Sequence, residues 1–298
     1  MNIKLTIGLC VKNASKIVKT AFDSISVQDY PHESLKIVIV DNGSLDNTLS
    51  LLMEFAQKTD IKTVVTSSKD KGLGATRQIA VDNAEGDYIL WVDDDLVLQN
   101  DFVRKQIEFM EKNPNTGAAR GVDTRDALQP TIINIAEYST LIASNSPKPK
   151  TIGTGGSIFR LKALDSVGGF DIRIRGAGED QDVSRRIREL GWALSTNNSA
   201  RFYQKCLPAT LQALWKKGFW YGYGNHFLFH KYKDQQLLLE YFPPFTLWSG
   251  FKLSCLIYRV TKMKKVFAFV IPYCFIMLAQ SAGFIRAELD GYGHYCRG

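Results

Sequence analysis

Three consecutive aspartates, Asp93, Asp94 and Asp95, directly follow the apolar run Tyr88–Val92. The aromatic and β-branched residues of this run, and Gly86 before it, favour a buried strand over a helix. Carboxylates at the carboxyl end of a strand repel one another, and this edge of an open α/β sheet is where ligands bind. Asp93 and Asp95 project to the same side, so both can reach one Mg²⁺ or Mn²⁺ whose other positions take water and phosphate oxygens. The triplet therefore predicts a metal-dependent diphosphate site, and solvated acids with one helix cap are the alternative.

The elements that must position these acids alternate between strands and helices in the first half of the chain. Apolar runs predict strands at Leu5–Val11, Lys36–Val40 and Lys62–Thr66, and a helix is predicted over Ala75–Ala84. This alternation predicts an α/β fold with a Rossmann-like, doubly wound, mostly parallel sheet. A further helix is expected over Ile132–Ile142.

Two more polar residues are expected at the same edge of this sheet. Asn13 follows the first strand and Asp41 follows the second. Because the carboxyl ends of neighbouring parallel strands line one crevice, Asp41 could accept hydrogen bonds from a nucleotide base or ribose. The Gly72–Gly74 loop could bring backbone N–H groups against phosphate or sugar oxygens, although two glycines alone are weak evidence.

Charge and cysteine content limit the function classes. The formal net charge of +7 suits a nucleic acid, an anionic membrane surface or a phosphorylated substrate. The basic cluster Lys262–Lys265 lies among apolar segments and the chain has no nucleic-acid-binding motif, so no nucleic acid is expected as a partner. The five cysteines are scattered without a CxxC pair, which favours a reducing compartment. The strand-like start at Ile3–Ile7 has no features of an export leader, so a cytoplasmic N-terminal domain is expected.

Six motifs follow one another along the chain. They are Thr6–Asn13, VDNGSLDNT at Val40–Thr48, KGLGATRQIA at Lys71–Ala80, GDYILWVDDD at Gly86–Asp95, GGSIFRLKALDSVGGFD at Gly155–Asp171 and GEDQDVSRRIRELGW at Gly178–Trp192. Their order resembles that of the family 2 glycosyltransferases, whose GT-A fold enzymes transfer a sugar from a nucleotide-diphosphate donor with inversion at the anomeric carbon. The resemblance covers roughly Leu5 to Gly224 and implies the same fold and reaction.

The resemblance also implies roles for the acids. Asp93 and Asp95 match the outer acids of the family's DxD element, which is tied to Mn²⁺ or Mg²⁺ and to the diphosphate. Asp94 is implied to contact the ribose or the sugar. Asp180 matches the catalytic base, and Glu179 is implied to orient or bind the acceptor.

The other implied site residues bind the donor or the acceptor. The donor-binding residues are Asn13, Asp41, Gly43, Lys71, Gly72, Arg77, Asp94 and Lys216. The acceptor-binding residues are Gly155, Gly156 and Trp220. A solvated basic helix face is the alternative explanation of Lys216.

An inverting transfer places a base and a metal on opposite sides of the sugar. The acceptor hydroxyl must lose its proton on the face opposite the leaving diphosphate, whose developing charge the metal stabilises. Glu179 and Asp182 could raise the pKa of Asp180 by like-charge repulsion. The alternative is that these acids precede the helix containing Val183 and Ile187 and only complement its dipole.

The chain departs from the family after Trp192. Many relatives have a histidine there, in a strand that ends near the metal, whereas this chain has Tyr203-Gln204-Lys205. Glutamine is a poorer metal ligand, so the acids and the phosphate are expected to hold the metal alone. His226 is the second candidate ligand, and a structural histidine in an aromatic region is the alternative.

The composition becomes strongly apolar from Tyr241 onward. Val266–Ile285 carries no charged residue and is long enough to span a hydrocarbon core, whereas Leu247–Val260 carries charges and suits an amphipathic helix. We therefore expect a GT-A domain at residues 1–224 and an apolar helical appendage at 225–298. The appendage is predicted to hold the protein at the cytoplasmic face of a membrane, with a soluble helical lid as the alternative.

Together these features predict a metal-dependent inverting glycosyltransferase. A UDP-sugar is the expected donor and GDP-mannose the alternative. Many relatives act on lipid-linked acceptors, so a lipid-linked glycan or a polyprenyl phosphate is the expected acceptor and a membrane surface an expected partner. Two alternatives stay open. One is a nucleotidyltransferase, although the glycine- and basic-rich loop that such enzymes carry after the first strand is missing at Leu9–Ala14. The other is a catalytically silent scaffold that binds nucleotide sugar or lipid.

Overall fold

The computed structural model describes residues 3–69, 71–124, 149–205, 210–233, 239, 241, 243–262 and 264–292. The chain divides into two compact units. Among the described residues, the first comprises 3–69, 71–124, 149–173 and 179–205, and the second comprises 174–178, 210–233, 239, 241, 243–262 and 264–292. The helix expected over Ile132–Ile142 lies outside the described residues.

An eight-stranded sheet forms the centre of the first unit. Its strands are β1 (Leu5–Val11), β2 (Leu35–Asp41), β3 (Lys62–Ser67), β4 (Tyr88–Trp91), β5 (Leu96–Leu98), β6 (Thr116–Asp123), β7 (Ser157–Arg160) and β8 (Ala193–Gln204). They lie in the order β3-β2-β1-β4-β7-β6-β8-β5. Among the described strands, β5 and β7 run antiparallel to the other six, so the sheet is mostly parallel.

Helices cover both faces of this sheet. One core contains residues of α1 (Val18–Ser26), α2 (Thr48–Lys58) and α4 (Phe102–Lys112), and the other contains residues of α3 (Leu73–Asp82), α5 (Leu161–Ser166) and α6 (Glu179–Glu189). Neighbouring residues of β2, such as Ile37 and Val38, belong to opposite cores because side chains alternate across a strand. Burial on both faces explains why the central strands β1, β2 and β4 are largely apolar runs in the sequence.

The predicted α/β architecture of this unit is confirmed. Strand β1 has the predicted bounds, and the other predicted strands differ by single residues at their ends. One local expectation is wrong. Glu179 and Asp180 are the first residues of α6, whereas the sequence pattern placed them before the helix. Gly178, with φ +105°, makes the left-handed turn that lets the helix begin directly at Glu179.

The described part of the second unit is helical. Its helices are α7 (Leu211–Tyr232), α8 (Pro243–Thr261) and α9 (Val270–Asp290), and the 3₁₀ turn Lys264–Phe269 precedes α9. Helices α7 and α9 touch through their backbones, since a Cβ on Gly222 would overlap the carbonyl group of Gln280. Residues 224 and 225, where the sequence analysis separates two domains, lie inside α7. That domain boundary stays a prediction.

One helical segment of the described chain, Lys264–Asp290, has the length and apolar composition needed to cross a membrane. Its most apolar window has a mean hydropathy of 1.8 and is 28% buried inside the protein. A core helix of a soluble protein can meet the same criteria, so the segment alone is weak evidence of a membrane span.

Candidate active site

Loops at the carboxyl ends of β1 and β2 hold three predicted site residues together. The Asp41 carboxylate is buried and accepts hydrogen bonds from the backbone N–H groups of Gly43 and Ser44 at 3.2 to 3.3 Å. Asn13, with φ +52°, accepts the Leu45 N–H at 2.8 Å through Oδ1. The topology therefore brings Asn13, Asp41 and Gly43 to one edge of the sheet, where Asp41 also shapes its own loop.

The acidic triplet follows β4 at the same edge. Asp93, Asp94 and Asp95 are all half-buried. Oδ2 of Asp95 accepts a 2.7 Å hydrogen bond from Nε2 of Gln204, because β5 and β8 pair with Leu96 opposite Gln204. Gln204 thus lies beside a predicted metal ligand, in the region where the family resemblance anticipates a histidine.

Arg77 joins the acidic triplet to the start of α6. Its Nη2 donates to Oδ1 of Asp93 at 3.2 Å, and its Nε donates to Oε1 of Glu179 at 3.1 Å. The guanidinium lies 4.9 Å from the centre of the Trp91 ring, and the side chain is 4% exposed. The sequence motif predicts a donor-binding role for Arg77 and gives no sign of this bridge. Arg77 directly follows the small residues Gly74, Ala75 and Thr76, which are buried in α3. This run of small residues is a sequence signal that the arginine points inward.

Burying Arg77 is tolerable because two carboxylates and an aromatic face surround it. An unpaired charge of this kind would cost several kcal/mol of desolvation. Trp91 adds a cation–π contact, and two charge-assisted hydrogen bonds satisfy part of the guanidinium. Nη1 is buried and has no hydrogen-bond partner among the described residues.

Glu179 and Asp180 occupy the first turn of α6 in an environment that opposes ionisation. Burial raises the pKa of Glu179 to about 7, the charge of Asp180 adds to this, and Arg77 opposes it. Enclosure by protein atoms likewise raises the pKa of Asp180, and the charge of Asp93 adds to it, while the Gln181 N–H and Arg77 oppose it. Carboxylates with raised pKa values can accept a proton, as a general base must.

Gly155 and Gly156 precede β7 and differ in their surroundings. A Cβ on Gly155 would lie 2.6 Å from Oδ2 of Asp93, so a side chain there would displace that carboxylate. Gly156, with φ +72°, packs against the Phe202 ring and leaves no room for a Cβ. Arg120 supports this loop by donating from Nε to the Gly155 carbonyl at 3.0 Å, a contact that sequence analysis missed.

The remaining predicted site residues directly precede α3 or lie on α7. Gly72, with φ +94°, is the N-cap of α3, and Lys71 before it is exposed. Lys216 is exposed and Trp220 half-buried on α7 of the second unit. Their roles toward a donor or an acceptor stay predictions.

The side chains at the triplet fit a divalent ion that prefers oxygen ligands. Asp93 and Asp95 offer carboxylate oxygens, and Gly155 leaves the space beside Oδ2 of Asp93 free of a Cβ. Within the described residues, the triplet does not bring three carboxylates within 4.8 Å of one another. Two acids completed by diphosphate and water suit Mg²⁺ or Mn²⁺, which keep several non-protein ligands.

The raised pKa of Glu179 predicts a pH dependence of stability. The folded state holds this proton more tightly than the unfolded chain, whose value is 4.5. The resulting stabilisation is fully present at pH values below 4.5, the pKa of Glu179 in the unfolded chain. It is lost as the pH rises through about 7, the pKa in the folded state. Asp180 contributes with the same sign. We expect the unfolding free energy to fall more steeply between about pH 5 and 8 in the wild type than in Glu179→Gln.

Urea denaturation at several pH values measures this difference. Glu189→Gln, at the exposed end of the same helix, is the matched control and should retain the wild-type slope. Equal slopes for the wild type and Glu179→Gln would show that Glu179 is not titrated in this range.

Comparison with known families gives two matches. The sequence matches Glycosyl transferase family 2 over residues 6–167 and Glycosyl transferase family group 2 over residues 88–282. A curated relative, poly-β-1,6-N-acetyl-D-glucosamine synthase of Staphylococcus epidermidis, is 26% identical over 227 residues, which are 73% of this chain and 53% of the relative. Another, poly(ribitol-phosphate) β-N-acetylglucosaminyltransferase TarS of Staphylococcus aureus, is 25% identical over 145 residues, or 48% of this chain and 25% of the relative. The chain thus spans about half the length, or less, of these relatives.

Solved structures share the fold at low sequence identity. The mannosyltransferase PcManGT from Pyrobaculum calidifontis, in complex with GDP-Man and Mn²⁺, has a TM-score of 0.61 and 15% identity and covers 98% of this chain and 77% of its own. The structure of S. aureus TarS residues 1–349 has a TM-score of 0.55 and 16% identity, and the match covers 98% of this chain and 93% of the TarS chain. These similarities confirm the predicted GT-A fold class.

Proposed function

Because the chain belongs to glycosyl transferase family 2, we propose that it transfers a sugar from a nucleotide-diphosphate donor to an acceptor hydroxyl with inversion. The match confirms the family and enzyme class that the motifs predicted. The observation that carries the proposal is the Arg77 bridge. It ties Asp93, at the triplet, to Glu179, next to Asp180. One buried cation therefore contacts both a proposed metal ligand and the neighbour of the proposed base, which supports the proposal.

The residues divide the reaction between two carboxylate sites. Asp180 accepts the proton of the attacking hydroxyl, and its raised pKa favours this transfer. Glu179 holds the acceptor or orients it next to Asp180. Asp93 and Asp95 hold Mn²⁺ or Mg²⁺, which when bound stabilises charge on the leaving diphosphate. Asn13, Asp41 and Gly43 bind the nucleotide at the ends of β1 and β2.

A UDP-sugar is the proposed donor, with N-acetylglucosamine as the proposed sugar. Both curated relatives are named for N-acetylglucosamine, and one TarS structure is a complex with UDP-GlcNAc. GDP-mannose is the alternative donor because the mannosyltransferase with the same fold is a complex with GDP-Man and Mn²⁺.

The proposed acceptor is a lipid-linked glycan or polyprenyl phosphate at the cytoplasmic face of a membrane. Large apolar side chains are exposed on α8 and α9, among them Trp248, Phe251, Ile271 and Leu278. Apolar surface of this kind favours contact with lipid, and Lys264 and Lys265 can meet anionic headgroups.

Donor binding in the purified full chain tests the proposal. UDP-GlcNAc and GDP-mannose are titrated by calorimetry with Mn²⁺ or with EDTA. We expect one donor to bind only with Mn²⁺, and Asp95→Asn to weaken that binding by about 100-fold. Asp29→Asn is the matched control, because the Asp29 carboxylate pairs with Arg104 at the surface. This variant should bind the donor with wild-type affinity.

Release of free UDP or GDP with an acceptor extract then tests transfer itself. Binding that ignores EDTA and survives Asp95→Asn would contradict the metal site. Binding without any turnover would favour the silent scaffold, and turnover of nucleoside triphosphates in place of sugar donors would favour a nucleotidyltransferase.

A further inference from the structure

A second group of metal-ligating side chains lies in the helical unit. His226 and His230 on α7 and Glu288 on α9 bring one ligand atom each to within 4.8 Å of one another. Nε2 of His226 lies 2.7 Å, and Nε2 of His230 lies 3.3 Å, from the same Oε2 of Glu288. Both imidazoles therefore point a potential ligand nitrogen at one carboxylate oxygen.

The two histidines face the same point because they are four residues apart on a helix. Their ring centres are 4.4 Å apart. Two imidazoles at this spacing, with a carboxylate from another element, form a ligand set that proteins use for Zn²⁺. Imidazole nitrogen suits Zn²⁺ far better than Mg²⁺, which prefers oxygen.

Backbone packing holds α9 at the distance that this cluster needs. A Cβ on Gly222 would overlap the carbonyl group of Gln280, and a Cβ on Gly283 would overlap that of Phe219. These glycines let α7 and α9 approach until their backbones touch. The Phe284 ring also packs edge-on against His226 at 5.0 Å. The ligand atoms thus converge because the helices are fixed, and little ordering remains to be done on binding.

The exposure of the ligands also suits a metal. Nδ1 of His226 is buried without a hydrogen-bond partner among the described residues, and Nε2 faces the Glu288 carboxylate. A metal bound by both side chains would take the place of this contact between Nε2 and the carboxylate. The side chains of His230 and Glu288 are 46% and 62% exposed, so an ion can enter from solvent.

We propose that His226, His230 and Glu288 bind one Zn²⁺ that clamps α7 to α9, with water as the fourth ligand. This site is built entirely within the second unit and does not depend on sugar transfer. It assigns a metal role to His226 that differs from the one considered from sequence, where it was a candidate ligand at the DxD acids.

Metal titration of the full chain tests the site. The protein is stripped with EDTA, dialysed into excess Mg²⁺ to occupy oxygen-rich sites, and titrated with Zn²⁺ against a chromophoric chelator. We expect one tight equivalent in the wild type and at least about tenfold weaker binding in His230→Gln and in Glu288→Gln. Both substitutions are at exposed positions, which limits their effect on folding. His32→Gln, at a histidine paired with Asp60 in the first unit, is the matched control and should retain the wild-type affinity.

Co²⁺ provides a second readout that is independent of activity. Co²⁺ in a tetrahedral nitrogen and oxygen site gives visible absorption bands, which we expect in the wild type and in His32→Gln and not in His230→Gln. Zn²⁺ should also raise the thermal midpoint of the wild type more than that of His230→Gln. Equal Zn²⁺ affinity in the wild type, His230→Gln and Glu288→Gln would overturn the proposal. So would a wild-type protein that binds no Zn²⁺ in the presence of Mg²⁺.

Discussion

Replacing Asp180 with asparagine is expected to lower kcat for sugar transfer by about 10³- to 10⁴-fold and to leave donor binding unchanged. Asparagine keeps the size of the side chain and removes its ability to accept a proton. Asp180 lies at the start of α6, outside the set of residues proposed to hold the nucleotide. The substitution should therefore lower the rate of the chemical step and leave donor affinity unchanged, because a catalytic residue acts on the transition state and a binding residue acts on substrate affinity.

Single-turnover kinetics and calorimetric donor titration measure the two quantities separately. Asp165→Asn, at an exposed carboxylate before the Gly168–Gly169 turn, is the matched control and should retain wild-type turnover. Wild-type kcat in Asp180→Asn would assign the base to another residue. A lost donor affinity with unchanged kcat would place Asp180 in the donor site instead.

Replacing Arg77 with methionine is expected to lower the unfolding free energy by about 3 to 5 kcal/mol and to abolish transfer. The substitution leaves Asp93 and Glu179 in a partly desolvated site without their shared cation. The loss of stability should be larger at about pH 8 than at about pH 5, because Glu179, with a pKa of about 7, is neutral at the lower pH. Arg77→Lys keeps the charge but lacks the fork that reaches both carboxylates, so an intermediate loss is expected.

Arg104→Met is the matched control for this experiment. Arg104 also bridges two carboxylates, those of Asp29 and Glu108, but its side chain is 41% exposed. An exposed bridge of this kind contributes little to stability, because solvent screens its charges. Urea denaturation of both variants measures the difference. If Arg77→Met costs no more than Arg104→Met, the buried bridge does not hold the site together.

The ends of the central strands were predictable from the sequence. A strand that is buried on both sheet faces has apolar residues at consecutive positions, so the end of the apolar run marks the end of the strand. Tyr88–Val92 is such a run, and the aspartates begin where it stops. Parallel strands end at one edge, so the convergence of Asn13, Asp41 and Asp93 follows from strand order alone. The family motifs added roles for these positions, which remain proposals until the variants are measured.

The sequence alone determined the alternating α/β fold, the edge of the sheet that carries the acids and the family. Each of these depends on local patterns of a few residues. Only the tertiary structure joined Arg77 to Asp93 and Glu179, Gln204 to Asp95, and His226 to Glu288. These partners come from different elements, and strand register or glycine packing decides which of them meet. A contact between distant residues depends on the positions of both backbones, so no local pattern encodes it.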